Sequence, residues 1–419
     1  MKSVSARTLA WEVLLEVERD GAYSNILLPR RLRESGLEGR DRAFVTELVY
    51  GSLRMRKKCD AHIAAVADRK IDAIDLKLLI ALRLGVYQIK LLELPIHAAI
   101  NESVELAKLT SGKGAAAYAN AILRKVVDCV IDDSSMEDKY SHPQWIINSY
   151  RDALRDESAL VAQLEANNQA AAPTLIAWPG RCEMAELVEV GAEPLEGSKV
   201  AARYRGNPGE IPAIRERRAG VQDLGSQLVV ENFYATKDES ELRWLDLCAG
   251  PGGKAAYLDS LLGSQLVANE PVQERAALLR QVVRSAKVTT FDGRQIPSEL
   301  GKFDRILIDA PCTGIGSLRR RPELRWRRTS DQLRALIQLQ SELIGAAATA
   351  LRPGGVIGYA TCSPHLAETK FQVRDFLRLN RDFHRIPVAQ HGDQDGDMQL
   401  WTYRDGTDCM FLSLLQRSA

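Results

Sequence analysis

No stretch of this sequence approaches the roughly 20 uninterrupted apolar residues that a membrane-spanning helix needs. The N-terminal MKSVSARTLAWEVLLEVERD is broken by Arg7, Glu12 and Glu16, so a secretory signal peptide is not expected and the chain is placed in the cytoplasm. Excess charge of either sign is missing too: the net charge is +1 over 419 residues. Bulk charge therefore gives no argument for a nucleic-acid partner, and any such surface must be a local patch. Paired cysteines are absent. Cys59, Cys129, Cys182, Cys248, Cys312, Cys362 and Cys409 are odd in number, widely spaced and never form C-x-x-C. That excludes a disulfide framework and a zinc site, and no metal is expected. Most of them read as small buried hydrophobes. What remains is ordinary globular composition, 45% apolar and 26% charged, in a chain long enough for two or three domains.

Apolar spacing divides the chain. Over residues 1–140 it is helical throughout, as in Leu76, Ile80, Leu84 and Tyr87, or Ile96, Ile100, Val104 and Ala107, and no strand signal appears. An all-α bundle is expected there, closing in a polar linker over 128–142. Residues 141–225 give a mixed signal, with a helix in HPQWIINSYRDAL and a short strand in APTLIAWPG, and read as a small α/β connecting domain. From 226 to 419 strand, loop and helix alternate. Strands are expected at LRWLDL (242–247), QLVANE (265–270), KVTTFD (287–292), FDRILIDAP (303–311) and GGVIGYATC (354–362), with helices at 254–262, 271–285 and 331–351. Such alternation predicts a parallel sheet with helices on both faces, whose ligands bind beyond the carboxyl ends of the strands.

The motifs fall at those ends. DLCAGPGGK (246–254) follows the first strand, where Gly250, Gly252 and Gly253 permit a tight turn close to a ligand and Lys254 opens a helix. A Walker A loop fails, because Cys248 stands in place of its first glycine and Ala255 in place of its Ser/Thr. The dinucleotide pattern G-x-G-x-x-A is met by Gly250, Gly252 and Ala255, and is a weak signal alone. Glu270 ends the second strand, where a carboxylate can accept two ribose hydroxyls of NAD or of S-adenosylmethionine. Asp292, after the third strand, is placed to bond an adenine amino group.

Asp309 and Cys312 follow the fourth strand in IDAPCTGIGS, and Cys362 ends the fifth in YATCS. Adjacent parallel strand tips converge, so the two cysteines can meet across one cleft. Nicotinamide chemistry has no use for such a pair. Methylation of cytosine C5 does: a thiolate adding to C6 breaks the aromaticity and makes C5 nucleophilic, and a base then removes the C5 proton so that the thiolate can leave. The thiol must ionise below its free pKa of about 8.5. Asp309 can hold the N3/N4 edge of the base and, if protonated, neutralise charge at N3. DAPC lacks the aromatic of the N/D-P-P-Y motifs of amino-group methyltransferases. Spacing does not choose between the two cysteines.

LDLCAGPGGK, LIDAPCTGIGSLRRRPELRWRR and YATCSPHLAET, in that order, resemble the RNA 5-methylcytosine methyltransferases of the NOL/NOP/Sun family, over roughly 142–419. The resemblance implies a Rossmann-like class I methyltransferase domain with a mostly parallel seven-stranded sheet, using S-adenosyl-L-methionine. It implies that Cys362 of the T-C-S motif is the nucleophile and that Cys312 of the P-C motif aids product release. Cofactor contacts carry over to Cys248, Ala249, Gly250, Pro251, Gly252, Gly253, Lys254, Glu270, Arg275, Asp292 and Asp309. Glu270 stands where the family commonly has aspartate, and Asn269 before it is also unusual. DRAFVTELVYGSLR (41–54), LGVYQIKLLELPIHAAINESVELAK (84–108) and AAYANAILRKV (116–126) are similar to NusB, an RNA-binding antitermination protein. The fusion of the two resembles bacterial enzymes acting on 16S rRNA, which implies 16S rRNA or a small-subunit precursor as partner and a monomeric protein. Arg319, Arg320, Arg321, Arg325, Trp326, Arg327 and Arg328, directly after the P-C turn, are expected to contact RNA. The target cytosine must be unstacked for C6 to be reached. Another RNA such as tRNA, a nucleotide-binding oxidoreductase and a non-catalytic RNA-binding factor are the competing expectations.

Overall fold

The computed structural model describes residues 5–238 and 243–419. The first residues of the expected bundle, and Leu242 of the first expected strand, lie outside the described residues.

The chain folds as two compact units. One takes the chain up to Asn148 together with Leu318–Arg327; the other takes Ser149–Ser317 and Arg328–Ala419, the division falling within the helix Gln144–Leu154. The first unit is helical, built on Ala6–Arg19, Ser24–Glu34, Gly39–Arg54, Arg56–Val66, Leu76–Lys90 and Ile96–Asp128. Local chemistry starts several of these helices: Ser5 accepts the Thr8 amide, and Asp75 accepts those of Lys77 and Leu78. Leu76–Lys90 is buried from Leu78 to Ile89, so it is the central helix of the bundle rather than a surface one. Its buried Arg83 is compensated by Asp60 (2.6 Å) and Glu18 (2.8 Å). The linker expected over 128–142 is partly folded. Met136–Tyr140 is a helix, and Ser141 and His142 are fully buried.

Leu318–Arg327 belongs to this helical unit, and its chemistry shows why. The last turn of a helix leaves carbonyls without intrahelical partners. Trp326 donates its indole N–H to Leu53 O (2.7 Å) and Arg325 its guanidinium to Arg54 O (3.0 Å), both at the end of Gly39–Arg54. Arg325 also reaches Ser141 O (3.2 Å), and Arg327 bonds Val17 O (2.7 Å), Gly21 O (2.9 Å) and Ala22 O, around the end of Ala6–Arg19. Glu323, 1% exposed, takes the Ser24 hydroxyl (2.7 Å) and amide (3.2 Å).

The second unit contains two sheets. Four short antiparallel strands, β1 (Thr174–Ala177), β2 (Glu193–Pro194), β3 (Ala201–Arg203) and β4 (Ala219–Val221), lie in the order β2-β3-β1-β4. The large sheet holds β5 (Trp244–Asp246), β6 (Leu266–Asn269), β7 (Lys287–Thr289), β8 (Phe303–Asp309), β9 (Leu351–Thr361), β10 (Phe383–Ile386), β11 (Met398–Gln399) and β12 (Phe411–Arg417). Seven strands run β10-β12-β9-β8-β5-β6-β7, with the two-residue β11 paired to β12. β5 to β9 are parallel and β10 to β12 antiparallel, so the expected mostly parallel sheet is present with one short strand added. Both faces are buried, as the continuous apolar strands require. Along β8, Ile306 and Ile308 pack in one cluster with Tyr359 and Phe376, while Leu307 packs opposite with Trp244 and Phe233. The chain leaves β5 for β6 and β7 on one side and returns to β8 on the other. The ends of β5 and β8 thus flank the switch in strand order where ligands bind.

Candidate active site

The glycine loop grows out of the end of β5. Ala249 N–H donates to Asn269 O (2.8 Å), tying the loop to the tip of β6. Asn269 holds three strand ends together: its amide donates to Leu247 O (3.2 Å) and Phe291 O (3.0 Å), and its oxygen accepts from Phe291 N–H (3.0 Å) and Thr289 Oγ1 (3.1 Å). That is the work of the residue that looked unusual in the sequence. Glu270 is almost wholly buried, accepts the Val272 amide (2.9 Å) and pairs with Arg275 (3.3 Å). Arg275 also caps Gly250 O. A side chain at Gly250 would fall on the Glu270 carboxylate, and Gly252 sits at φ 122° against Val282, so both glycines are required by close approach.

Asp246, at the tip of β5, is a site residue that sequence reasoning passed over although it lies inside the LDLCAG motif. Its carboxyl is fully buried, and neither oxygen has a hydrogen-bond partner among the described residues. Burial, and then the charge of Asp309, push its pKa up to about 8. Asp309, at the tip of β8, pairs with Lys254 (2.8 Å), the second residue of the helix Gly253–Leu262. Burial works against the Lys254 ammonium, but Asp309 outweighs it, with Cys362 and Asp246 adding, so its pKa is raised and it stays cationic. Burial and the surrounding carboxylates raise the Cys248 thiol well above its ordinary range, leaving it an unreactive thiol. Pro251 is exposed, and Gly253 opens the helix. Asp292, after β7, is gripped by Arg294 through bonds of 2.6 to 3.1 Å, which hold its pKa down at about 2. It lines a cavity of about 520 Å³ with Pro271, next in sequence to Glu270, and with Ala335 and Leu339.

Cys312 and Cys362 meet. Their Sγ atoms are 3.4 Å apart, both partly exposed, at the tips of the paired strands β8 and β9. The bond to Cys362 and then burial raise the Cys312 pKa well above the ordinary thiol range, so Cys312 keeps its proton. The two turns are locked by a residue with no earlier assignment. Glu368, fully buried, accepts the Thr313 amide (2.8 Å), the Thr313 hydroxyl (2.6 Å) and the Gln340 amide group (3.2 Å). Thr313 Oγ1 lies 3.1 Å from Ser363 Oγ, and Tyr359 donates to Glu368 O (2.9 Å). Gly316 N–H donates to Cys362 O (3.0 Å), and buried Tyr150 donates to Ile315 O (2.6 Å). Glu368 follows Cys362 by six residues, within the stretch YATCSPHLAET. Its spacing was the available signal, but an acid there reads first as a helix-terminal surface carboxylate. Burial pushes the Cys182 thiol up to about 11 and Cys409 to about 12, and Cys59 higher still, so these three are held as unreactive thiols.

The arginine run departs from expectation. Arg325 is 0% exposed, so it is not an open phosphate-binding group, and with Trp326 and Arg327 it bonds the helix carbonyls described above. Arg319, Arg320, Arg321 and Arg328 keep partial exposure, and Arg321 stacks over Tyr23 at 4.8 Å.

Comparison with known proteins fits this arrangement. Residues 233–416 match the family described as 16S rRNA methyltransferase RsmB/F, and residues 4–128 match the NusB family. The chain is 41% identical to the Mycobacterium tuberculosis methyltransferase Rv1407, covering 98% of this chain and 96% of that one. It is 31% identical to ribosomal RNA small subunit methyltransferase B of Vibrio vulnificus, covering 92% of each. Among solved structures, PH0851 shares the fold over 98% of both chains (TM-score 0.84, 23% identity). NSun6 from Pyrococcus horikoshii with SFG shares it over 66% of this chain and 98% of its own (TM-score 0.58, 17% identity). The chain belongs to the RsmB/F family of 16S rRNA methyltransferases, with a NusB domain at its N-terminus, and is an S-adenosylmethionine-dependent RNA methyltransferase.

Proposed function

We propose that this enzyme methylates carbon 5 of a cytosine in 16S rRNA, through a covalent bond between Cys362 Sγ and C6 of the base. The observation that carries the reading is the 3.4 Å approach of Cys312 and Cys362 at adjacent strand tips. S-adenosylmethionine, when bound, supplies a methyl group on an electrophilic sulfonium. The residues present suit it. Gly250 and Gly252 leave room for close approach, Glu270 offers a carboxylate to ribose hydroxyls, and the cavity lined by Asp292 and Leu339 suits a flat base. The unpartnered Asp246 carboxyl suits an ammonium.

Cys362 acts as the thiolate, accepting the Cys312 S–H and facing the electrostatic influence of the Lys254 ammonium. As its Sγ–C6 bond forms, the C5–C6 π electrons move toward C5, which takes the methyl group. A base then removes the C5 proton, the C5–C6 double bond re-forms and Cys362 departs as thiolate. Cys312 is the neighbouring thiol that manages this departure. Asp309, held by Lys254, receives the N3/N4 edge of the cytosine. Contact with the RNA backbone remains the reading for Arg319, Arg320 and Arg321.

The test is nucleoside analysis after incubation of the protein with transcribed 16S rRNA and S-adenosylmethionine. 5-Methylcytidine is the expected product. N4-methylcytidine or a 2′-O-methyl nucleoside would overturn the proposal.

A further inference from the structure

Beside the T-C-S turn lies a cavity of about 390 Å³ that the chemistry above does not use. Its walls come from the end of the helix Gln144–Leu154 and from the residues that follow Cys362. They include Arg151, Asp152, Arg155, His365 and Phe371. The volume lies within the range of small-molecule sites.

Each of these groups has a definite chemical character. His365 Nδ1 accepts the Ala367 amide (3.1 Å), so the neutral ring carries its proton on Nε2. Burial lowers the His365 pKa and keeps the ring neutral near pH 7. The ring thus presents one N–H donor from a residue three positions after Cys362. Arg155 lies just past the helix end at φ 55°, a backbone position that glycine or asparagine fills more easily. It is exposed and makes no ion pair among the described residues, so neither backbone geometry nor charge pairing asks for arginine there. Arg151, by contrast, is held by Glu157 (2.6 Å). Phe371 is 40% exposed, with the Arg374 guanidinium 4.6 Å from its ring centroid. An exposed ring backed by a guanidinium is a stacking platform for a base. Asp152 adds a carboxylate acceptor to the same wall.

A polyanion alone would not call for Asp152, and an apolar ligand would not call for Arg155. A ribonucleotide calls for all of these groups: a cation and a neutral donor for the phosphate, an acceptor for the 2′-hydroxyl, and an aromatic face for the base. Three residues of chain span at most ~11 Å, which places this wall within reach of the nucleotide next to one bound at Cys362. We infer that this cavity is a subsite for the ribonucleotide flanking the target cytosine. Its base stacks on Phe371, its 2′-hydroxyl donates to Asp152, and its phosphate is held by Arg155 and His365. The inference rests on the reading of Cys362 as the reacting residue, which puts the target base beside this wall.

Filter binding of transcribed 16S rRNA to the full-length Cys362→Ala protein tests the subsite without depending on chemistry. Against that background, Arg155→Ala and Phe371→Ala should each weaken RNA binding about tenfold. Arg155→Ala should also lower the slope of log K against log salt by about 0.7, the loss of one phosphate contact, while Phe371→Ala leaves the slope unchanged. Asp152→Ala should narrow the preference for a short RNA over its 2′-deoxy counterpart. Cofactor affinity, measured by calorimetry, should stay the same in all three. RNA binding unchanged in both Arg155→Ala and Phe371→Ala, or cofactor affinity falling in step with RNA affinity, would overturn the inference. Failure of the wild type to make 5-methylcytidine would instead count against the covalent mechanism, and the binding measurement reads independently of it.

Discussion

Gly250 lies against the Glu270 carboxylate and its carbonyl is held by Arg275, so this position bears directly on the proposed cofactor loop. Gly250→Ala would set a methyl group on Glu270 Oε2. Calorimetry should show cofactor affinity reduced at least about tenfold, some 1.4 kcal/mol, with the fold retained. Asp246 makes a second prediction, through pH. Its pKa in the folded protein is raised to about 8, above the ordinary aspartate value of 3.8, so the folded state holds a proton that the unfolded state releases. The resulting stability is fully present below pH 4 and is lost as pH rises toward 8, on the order of 5 kcal/mol across that window for a fully buried group. Asp246→Asn should remove this component. Its unfolding free energy without cofactor should fall less between pH 4 and 8 than that of the wild type, and identical pH profiles would contradict the assignment. Strand-end placement made Gly250, Glu270, Cys312 and Cys362 legible in the sequence, because parallel strands aim their C-terminal residues at one cleft. Asp246 and Glu368 were not legible. What distinguishes them is complete burial, and an acid carries no mark of its burial in a string of letters.

At the scale of the element, Leu318–Arg327 shows that an arginine-rich run can serve the fold as well as a ligand. Five arginines around a tryptophan look like an electrostatic surface for RNA. Helix ends need donors as much as phosphates do, and Arg325, Trp326 and Arg327 supply them to the carbonyls ending Gly39–Arg54 and Ala6–Arg19. The segment begins at the residue after Ser317 and is counted with the helical unit. Arg325→Met would leave the Arg54 and Ser141 carbonyls without this partner. Urea denaturation should show a loss of about 2–4 kcal/mol. A change below about 0.5 kcal/mol would mean that the guanidinium is dispensable. The linker expected over 128–142 misread for a related reason. Its polar residues hide Met136–Tyr140, and Ser141 is buried because its carbonyl receives Arg325.

For the whole molecule, periodicity conveyed the helical N-terminal region and the five parallel strands, since apolar runs alternating with helices admit few arrangements. The individual strands β10 to β12 were not legible. Phe383–Ile386 and Met398–Gln399 are too short for a period to show, and their places are set by antiparallel pairing with β12. Family resemblance supplied what periodicity could not, the choice of Cys362 over Cys312. The bond to Cys362 and burial raise the Cys312 thiol well above its ordinary range, which is consistent with the proposed choice. The measurement that bears on it most directly is a denaturing gel of wild type, Cys312→Ala and Cys362→Ala after reaction with 16S rRNA and S-adenosylmethionine. The account predicts a slow-migrating protein–RNA adduct with Cys312→Ala, and neither adduct nor methylated RNA with Cys362→Ala. Methylated cytosine formed by Cys362→Ala would contradict it.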